Sequence, residues 1–392
     1  MSFTDHANNP YASLSPAVWR GSTVVFDTFE DFVGRKSRQP DGYSYGITGT
    51  PTTRGLEQRI ADLEHGKHCI VTPSGASALM TTVMGFVRSG DHLLISDSCY
   101  GALKAFAHNW LARLGVEVEF YPPTIDAGIE ALIKPNTKMI CLEAPGTVTM
   151  EMQDIDTITA IARHRGVMTM MDNTWASPLY FRPLEHGVDF SIEAATKFFG
   201  GHSDVLMGSI SMNNADDYAT LRETQSTLGQ SVSPEDCFLV MRGLDTLKVR
   251  LAEQCRSSLK IARWLEAQPM VQQVLFPALE SHPGHAIWRE QFDGNGCLFS
   301  IILQPAPEAT FGAFFNALQH FPIGASWGGT HSLIAYYPAS QQQTRNFSPT
   351  EEPIVRISIG LEDPDVLIAD LDRALRCYEL ARIQVHPGFQ GG

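Results

Sequence analysis

Strand-like apolar runs alternate with helix-like runs through the first half of this 392-residue chain. The predicted strands cover residues 68–72, 92–96, 116–121, 138–142, 167–171, 190–192 and 208–212. The predicted helices cover residues 55–65, 76–88, 103–114, 125–133 and 156–165. Because this alternation is typical of βαβ units, we predict an α/β fold with a mostly parallel central sheet and helices on both faces.

The pattern changes after Pro234, where helical periodicity continues to residue 267 and mixed strands and helices follow. A chain of this length usually exceeds one compact core. Residues 1–55 are rich in Pro, Gly, Ser, Thr and Asn and look irregular. We therefore predict an extended N-terminal arm at 1–55, a larger domain at 56–245 and a smaller C-terminal α/β domain at 246–392.

Charge and residue usage exclude several classes of protein and site. The formal net charge is −14, which argues against nucleic acid or an anionic membrane as a partner because both attract clustered Lys and Arg. No run of about 18 apolar residues suggests a membrane span. The seven cysteines lack a C-x-x-C pair and the N-terminus lacks an apolar signal core, which favours a cytoplasmic protein with reduced thiols. We predict no metal site, since His202 and Asp204 have no third ligand at suitable spacing.

Two polar residues stand at the ends of apolar runs in the predicted sheet. Asp172 follows residues 167–171, and Lys197 follows residues 190–196. A buried lysine is costly unless its charge is neutralised, and a Schiff base removes that cost. An aspartate at a strand end can hold a pyridinium nitrogen protonated, although alone it could merely cap the next turn. Together they are the protein groups that pyridoxal 5'-phosphate (PLP) needs, so we predict PLP as the cofactor.

Further candidates lie beyond the carboxyl ends of the strands, where open α/β sheets bind their ligands. Gly75 and Ala76 open a predicted helix whose free N–H groups suit a phosphate, although a plain turn capped by Ser74 fits the same pattern. Tyr100 could stack on a flat ring or could be a core aromatic. Arg356 alternates with apolar residues in a predicted strand, and it could bind a carboxylate or face solvent.

The lysine segment has a recognisable pattern. The sequence Ala195-Thr196-Lys197, followed by Gly201-His202-Ser203-Asp204, resembles the PLP-lysine motif of the Cys/Met-metabolism family of PLP-dependent enzymes. The resemblance extends from Tyr45 to about Tyr378 and therefore covers most of the chain. It implies the fold type I, PLP-dependent transferase-like architecture, in which residues 56–245 bind PLP. It also implies a homotetramer built from dimers.

Within the family, two features resemble the bacterial cystathionine β-lyase branch. They are the arm sequence Tyr45-Gly46-x-x-Gly49-Thr50-x-Thr52 and Trp327, where γ-type enzymes usually have Leu. This implies β-elimination of a C–S bond, from cystathionine to homocysteine, pyruvate and ammonia. Two alternatives stay open: a γ-type member (cystathionine γ-synthase, O-acylhomoserine sulfhydrylase or γ-lyase), or a PLP-binding carrier or regulator without turnover.

The resemblance also implies a role for each candidate residue. At the cofactor, Lys197 would form the Schiff base, Asp172 would pair with the ring nitrogen, Tyr100 would stack on the ring, and Gly75, Ala76 and Thr196 would hold the phosphate. At the substrate, Arg356 and Ser326 would bind the α-carboxylate beside Trp327. Lys197, Tyr100 and Tyr45 would be catalytic, with Tyr45 contributed by a neighbouring subunit.

Two positions depart from the family pattern. Ile47 stands where relatives usually have an arginine that pairs with the cofactor phosphate across the subunit boundary. Either PLP binds more weakly, or Arg54 or Thr48 compensates. Ala194 stands where many relatives have a serine, so one further phosphate donor is missing.

Overall fold

The computed structural model describes residues 13–343, 345–348 and 350–385. The strands are β1 His68–Thr72, β2 His92–Ser96, β3 Glu117–Tyr121, β4 Thr137–Glu143, β5 Met168–Asp172, β6 Phe190–Glu193, β7 Gly208–Met212, β8 Val271–Leu275, β9 Leu298–Leu303, β10 Leu333–Tyr337 and β11 Ile354–Ser358. The α-helices are α1 Phe29–Val33, α2 Pro51–Leu63, α3 Gly75–Phe86, α4 Gly101–Phe106, α5 Ile155–Arg165, α6 Ser177–Tyr180, α7 Ala215–Thr227, α8 Pro234–Glu266, α9 His285–Gln291, α10 Glu308–Ala317, α11 Ala339–Gln342 and α12 Pro364–Val385. Within the described ranges, no helix is both long and apolar enough to cross a membrane.

The first seven strands form one sheet in the order β1-β7-β6-β5-β4-β2-β3. β3, β2, β4, β5 and β6 run parallel, whereas β7 is antiparallel to both β6 and β1. The predicted mostly parallel sheet is therefore confirmed. Because the parallel strands point the same way, the residues that follow β2, β4, β5 and β6 meet at one edge of the sheet.

Both faces of this sheet are buried, as its nearly continuous apolar strands require. Successive strand residues point to opposite faces. Ile70 belongs to one core, with apolar side chains of α3 and α7, while Val71 belongs to the other, with α2, α5 and α8. The second core continues into the C-terminal part of the chain, where it includes Phe299 and Ile357. The two parts of the molecule thus share one apolar interior.

The C-terminal part is built on a smaller sheet, ordered β10-β11-β9-β8, in which all neighbours are antiparallel. α10 and α12 pack against each other beside this sheet. Phe311 of α10 and Tyr378 of α12 meet edge to face with ring centroids 5.2 Å apart. The Tyr378 hydroxyl donates to the Gln304 carbonyl at 2.8 Å, which satisfies its polar tip inside the core. This sheet carries Arg356, in β11, towards the large sheet.

Among the differences from the sequence expectations, three concern the start of α2, the segment that begins in α4 and the domain limits. α2 begins at Pro51 because the Thr50 side chain caps it and proline suits its first turn. The segment predicted as one helix at 103–114 changes after Phe106 to a wider π turn and then a 3₁₀ turn, which keeps Leu111 buried against the sheet. The predicted domain limits fall inside α2 and α8, neither of which is interrupted there. The domain division stays a prediction, and residues 1–12 of the predicted arm lie outside the described ranges.

Candidate active site

A cavity of about 550 Å³ opens at the carboxyl edge of the large sheet. Residues that follow parallel strands line one side, among them Tyr100, Asp172 and Lys197. The C-terminal part lines the other side and contributes Trp327 and Arg356. This is the position at which open parallel sheets bind ligands, because the connecting loops diverge there.

Lys197 extends into this cavity from the loop after β6. Its Nζ donates to Ser326 Oγ at 2.9 Å and lies 5.5 Å from the centre of the Trp327 ring. Burial, reinforced by the Arg356 guanidinium and opposed by Asp172, lowers the pKa of Lys197 to about 8. A large fraction of this amine is therefore neutral in mildly alkaline solution. The neutral amine is the form that condenses with an aldehyde or accepts a proton.

Asp172, at the end of β5, stands beside a second carboxyl group. Its Oδ1 accepts from the Thr174 amide at 3.1 Å and from the Thr174 hydroxyl at 2.6 Å, so it does cap the following turn. Burial raises the pKa of Asp172 despite these bonds and despite Lys197. Glu143 is its neighbour in register on β4, and burial together with Asp172 raises the pKa of Glu143 well above its usual range. A cation bound in the cavity would restore the ionised form of Asp172.

The start of α3 offers a site for an anion. Ser74 caps this helix by accepting from the Ser77 amide at 3.0 Å, and helix geometry leaves the Gly75 and Ala76 N–H groups without partners inside the helix. A Cβ on Gly75 would lie 2.6 Å from the Ala194 Cβ, so only glycine allows this turn to approach the loop after β6. Ser74 therefore caps the helix, while Gly75 and Ala76 line the cavity and can offer their N–H groups to an anion.

Thr196 also lines the cavity, but its hydroxyl is already engaged. It donates to the Met207 carbonyl at 3.1 Å and accepts from the Met207 amide at 2.9 Å. Donation to a phosphate would require the hydroxyl to exchange its bond to the carbonyl. The phosphate role of Thr196 stays a prediction.

Arg356 is 7% exposed, which excludes the alternative of a solvent-facing strand residue. Its Nη2 donates to the Ala325 carbonyl at 3.0 Å, and its Cζ lies 5.0 Å from the centre of the Tyr337 ring. Burial lowers the pKa of Arg356, although a guanidinium remains charged at any physiological pH. The Ala325 carbonyl thus holds one edge of the guanidinium, and the Tyr337 ring covers one face. The remaining N–H donors of Arg356 suit a carboxylate.

Tyr100 lines the cavity, whereas Tyr45 does not. Tyr100 is 46% exposed at the edge of the cavity, which excludes the core alternative, and its amide donates to Glu143 Oε2 at 2.6 Å. Tyr45 is 56% exposed on the arm and is not among the residues that line the cavity of its own chain. The structure therefore brings together all predicted site residues except Tyr45.

The two groups that could compensate for Ile47 are engaged within the arm. Arg54 donates to the Thr48 carbonyl at 2.5 Å and to Glu57 Oε2 at 2.7 Å. The Thr48 hydroxyl donates to the Tyr45 carbonyl at 2.7 Å. To donate to a phosphate, the Thr48 hydroxyl would have to give up this bond, because a hydroxyl has a single proton.

Several charged and aromatic residues of the cavity were not expected from sequence: Asp97, Lys104, Glu143, Tyr337 and Arg345. The first follows β2 and the third ends β4, so the strand-end rule that identified Asp172 could have found both. Tyr337 ends β10 and Arg345 lies in the loop after α11, a region whose sequence shows no clear strand pattern. No group of His, Cys, Asp and Glu side chains in the described parts of the chain could hold a metal ion.

The donor set of the cavity fits PLP. Four kinds of group line this cavity: a primary amine with a lowered pKa, a buried carboxyl that lacks full charge compensation, an exposed aromatic ring and free helix amides. These groups match an aldehyde, a pyridine nitrogen, a flat ring and a phosphate, respectively. Lys197, Asp172, Tyr100, and the pair Gly75 and Ala76 would hold them.

Comparisons with known proteins agree with PLP as the cofactor. The profile of the family described as Cys/Met metabolism PLP-dependent enzyme matches residues 3–376. Cystathionine β-lyase of Salmonella typhimurium is 39% identical over 92% of each chain. An L-alanine/L-glutamate racemase of Wolbachia pipientis is 37% identical over 94% of each chain.

A solved structure shows the same architecture. Cystathionine γ-synthase of Xanthomonas oryzae pv. oryzae, crystallised with aminoacrylate and cysteine, superimposes with a TM-score of 0.86. It is 29% identical, and the match covers 96% of each chain. The expected fold class and cofactor are thereby confirmed, whereas the relatives differ in the reaction that their names describe.

Proposed function

Because this chain belongs to the Cys/Met metabolism family of PLP-dependent enzymes, we propose that it is a carbon–sulfur β-lyase that converts cystathionine to homocysteine, pyruvate and ammonia. One observation carries the proposal: Lys197 Nζ is held 2.9 Å from Ser326 in a cavity that also contains Trp327 and Arg356. The cystathionine β-lyase relative supports the choice within the family.

In this reaction Lys197 moves the protons. PLP supplies the electron sink for the charge that develops at the substrate Cα. Lys197 Nζ, whose pKa is about 8, accepts the Cα proton, since a base with a pKa near the working pH transfers protons efficiently. The same Nζ then donates a proton to the departing sulfur. The hydrogen bond to Ser326 orients the amine between these two positions.

Two other side chains fix the reacting groups. Arg356 binds the substrate α-carboxylate through donors that the Ala325 carbonyl and the Tyr337 ring leave free. Asp172 keeps the cofactor ring nitrogen protonated, and that cation in turn lowers the cost of the buried carboxylate. Both residues act by position and charge, so their geometry matters more than their basicity.

The first prediction concerns the product. Purified protein supplied with PLP and cystathionine should be yellow and should release pyruvate and homocysteine in equal amounts, because the bond that breaks is Cβ–S. Chromatographic identification of the keto acid and the thiol makes the measurement. Release of 2-oxobutyrate with cysteine instead would assign γ-elimination and contradict the proposal.

The same assay separates the other candidates. A γ-synthase structure at 29% identity and a racemase at 37% identity show that this fold accommodates other reactions at Cα and Cγ. C–S bond formation from an activated homoserine would identify a synthase or sulfhydrylase. Conversion of L-alanine or L-glutamate to the D-isomer would identify a racemase. Bound PLP without any product would identify a carrier or regulator.

We also propose that the active enzyme is a homotetramer built from dimers in which Tyr45 completes the neighbouring subunit's site. The arm carries exposed apolar side chains, including Leu14 at 92%, Val25 at 86% and Phe29 at 75%. Such a concentration of exposed apolar surface favours association. Tyr45 lies on this arm, outside its own chain's cavity.

Mixing two defective proteins tests this arrangement. Tyr45→Ala and Lys197→Ala chains, unfolded together and refolded, should recover about a quarter of the wild-type activity, since half of random pairs are mixed and each contains one intact site. Each variant refolded alone is the control. If Tyr45 serves its own chain, no mixed pair contains an intact site and no activity returns.

A further inference from the structure

One face of α8 contacts the loops on both sides of the hydrogen bond between Lys197 and Ser326. Arg250 and Gln254 stand four residues apart in this helix, so their side chains project from the same face. Both are buried, with 6% and 1% of their surface exposed. Neither is among the described residues that line the cavity, so any effect of theirs on the reaction must pass through other residues.

Arg250 holds the loop that carries Lys197. Its Nη2 donates to the Phe198 carbonyl, next in the chain to Lys197, at 2.9 Å and to the Gly243 carbonyl of α8 at 2.8 Å. Its Nε donates to the Thr246 hydroxyl at 2.9 Å. Burial lowers the pKa of Arg250, and no charged group within the described ranges offsets that effect. The guanidinium therefore binds backbone oxygens rather than a carboxylate, and it ties the residue after the lysine to the helix.

Gln254 holds the opposite loop. Its Nε2 donates to the Gly329 carbonyl at 2.7 Å and to the Ile359 carbonyl at 3.1 Å. Gly329 lies three residues after Ser326, and Ile359 directly follows β11. One amide group thus fixes to α8 both the loop that carries Ser326 and the end of the strand that carries Arg356.

The two loops are in direct contact with each other. A Cβ on Gly328 would lie 3.1 Å from Lys197 Cβ and 3.3 Å from Lys197 Cα. Across the same boundary, Lys197 Nζ donates to Ser326 Oγ at 2.9 Å. A displacement of either loop relative to α8 therefore changes the position of the amine relative to the serine.

Both helix side chains also carry a destabilising feature. Arg250 Nη1 and Gln254 Oε1 are buried without a hydrogen-bond partner in the part of the chain that the structure describes. An unpaired buried polar atom opposes folding. Stability alone therefore does not account for these two residue types, whereas the loop carbonyls that they hold do.

We propose that Arg250 and Gln254 are positioning residues that fix Lys197 Nζ against Ser326 from adjacent turns of α8. The proposal deepens the proposed function and rests on it in one respect: Lys197 transfers the Cα proton. A base that a helix holds in place stays aligned with the proton that it accepts. Loss of either anchor lets one loop move, and a misplacement of about 1 Å costs roughly 10²-fold in rate.

A double-mutant cycle on turnover tests the proposal. Gln254→Met removes the N–H donor and keeps the approximate size of the side chain. The control is Gln268→Met, since Gln268 also donates to a carbonyl, that of Trp264 at the end of α8. We expect Gln254→Met to lower kcat for pyruvate release by about 10- to 100-fold and Gln268→Met to match wild type. In a Ser326→Ala protein the contact is already lost, so Gln254→Met should change kcat by no more than about twofold further.

Cofactor attachment gives a readout without turnover. The rate at which PLP-free protein forms its Schiff base with added PLP follows the neutral fraction of Lys197, so its pH dependence reports the pKa of that amine. The Ser326 hydroxyl favours the charged amine, because an ammonium donates the stronger hydrogen bond. Ser326→Ala and Gln254→Met should therefore shift the midpoint to lower pH by equal amounts, and the double variant should shift it no further. Asp172 and Arg356, the charged groups that also act on this pKa, are unchanged in all these proteins.

Arg250→Lys tests the other loop, and it does so even if Gln254→Met fails to fold. Lysine keeps the charge but lacks the fork that reaches two carbonyls. This variant should also lower kcat and the midpoint, and it should again have little effect in the Ser326→Ala protein.

Two results would overturn the positioning role. One is wild-type kcat and midpoint in both single variants; the other is full additivity of their effects with that of Ser326→Ala. A wild-type protein that forms no pyruvate would refute the lyase instead, and the midpoints would still decide whether Arg250 and Gln254 position the amine.

Discussion

Replacing Lys197 with alanine is expected to reduce pyruvate release from cystathionine by roughly 10⁴-fold, the upper end of what loss of a positioned general base costs. The side chain has two tasks, covalent attachment of the cofactor and transfer of the Cα proton, and its position beside Ser326 supports both. The initial rate of pyruvate formation at saturating PLP makes the measurement. A Lys197→Ala protein that keeps its turnover would falsify the proposed mechanism.

A matched control excludes general effects of losing a lysine. Lys248→Ala changes an exposed lysine on α8 and should leave pyruvate release unchanged. If both variants lose activity together, the loss reflects folding or assembly and says nothing about proton transfer.

The stability of the PLP-free protein gives an independent check on Lys197. Its pKa is about 8 in the folded protein against a usual 10.5, so between those values the unfolded chain binds the extra proton and the folded protein does not. Folding is therefore penalised below pH 8, and the penalty fades as the pH rises to 10.5. The PLP-free Lys197→Ala protein should melt above the PLP-free wild type at pH 7, with a difference that shrinks at high pH.

The polar site residues near the ends of buried strands were predictable from sequence because they depend on local patterns. The runs at His68–Thr72, His92–Ser96 and Gly208–Met212 are apolar enough to identify strands of a buried sheet, and the structure has the same limits. A polar residue after such a run must lie at the sheet edge. This pattern by itself identifies Asp172 and Lys197.

The other wall of the cavity could not be predicted in the same way. β10 at Leu333–Tyr337 has two adjacent buried residues between partly buried ones and no alternation, so neither the strand nor the position of Tyr337 was expected. Lys104 of α4 and Arg345 of the loop after α11 both pair with Asp97. Such contacts arise from tertiary folding across about 250 residues of chain and leave no local pattern.

Asp172→Asn is expected to lower the turnover of cystathionine by roughly 10²- to 5 × 10³-fold, because removing one partner of a buried charge pair costs about 3–5 kcal/mol. The amide keeps the size of the side chain but cannot keep the cofactor ring nitrogen protonated. Pyruvate release at saturating PLP measures the effect. An Asp172→Asn enzyme as fast as wild type would show that the ring charge is held by another group.

Glu64→Gln is the matched control for a buried carboxyl group. Glu64 binds the Ser191 hydroxyl in the sheet interior, and burial raises its pKa to about 8, so it is already mostly neutral at pH 7 and the amide should change little. Asp172 differs because bound PLP provides a cation that makes its ionised form favourable. PLP should therefore raise the melting temperature of the Glu64→Gln protein as much as that of wild type, and raise that of Asp172→Asn less. Equal shifts in all three proteins would mean that the charge of Asp172 contributes nothing to holding the cofactor.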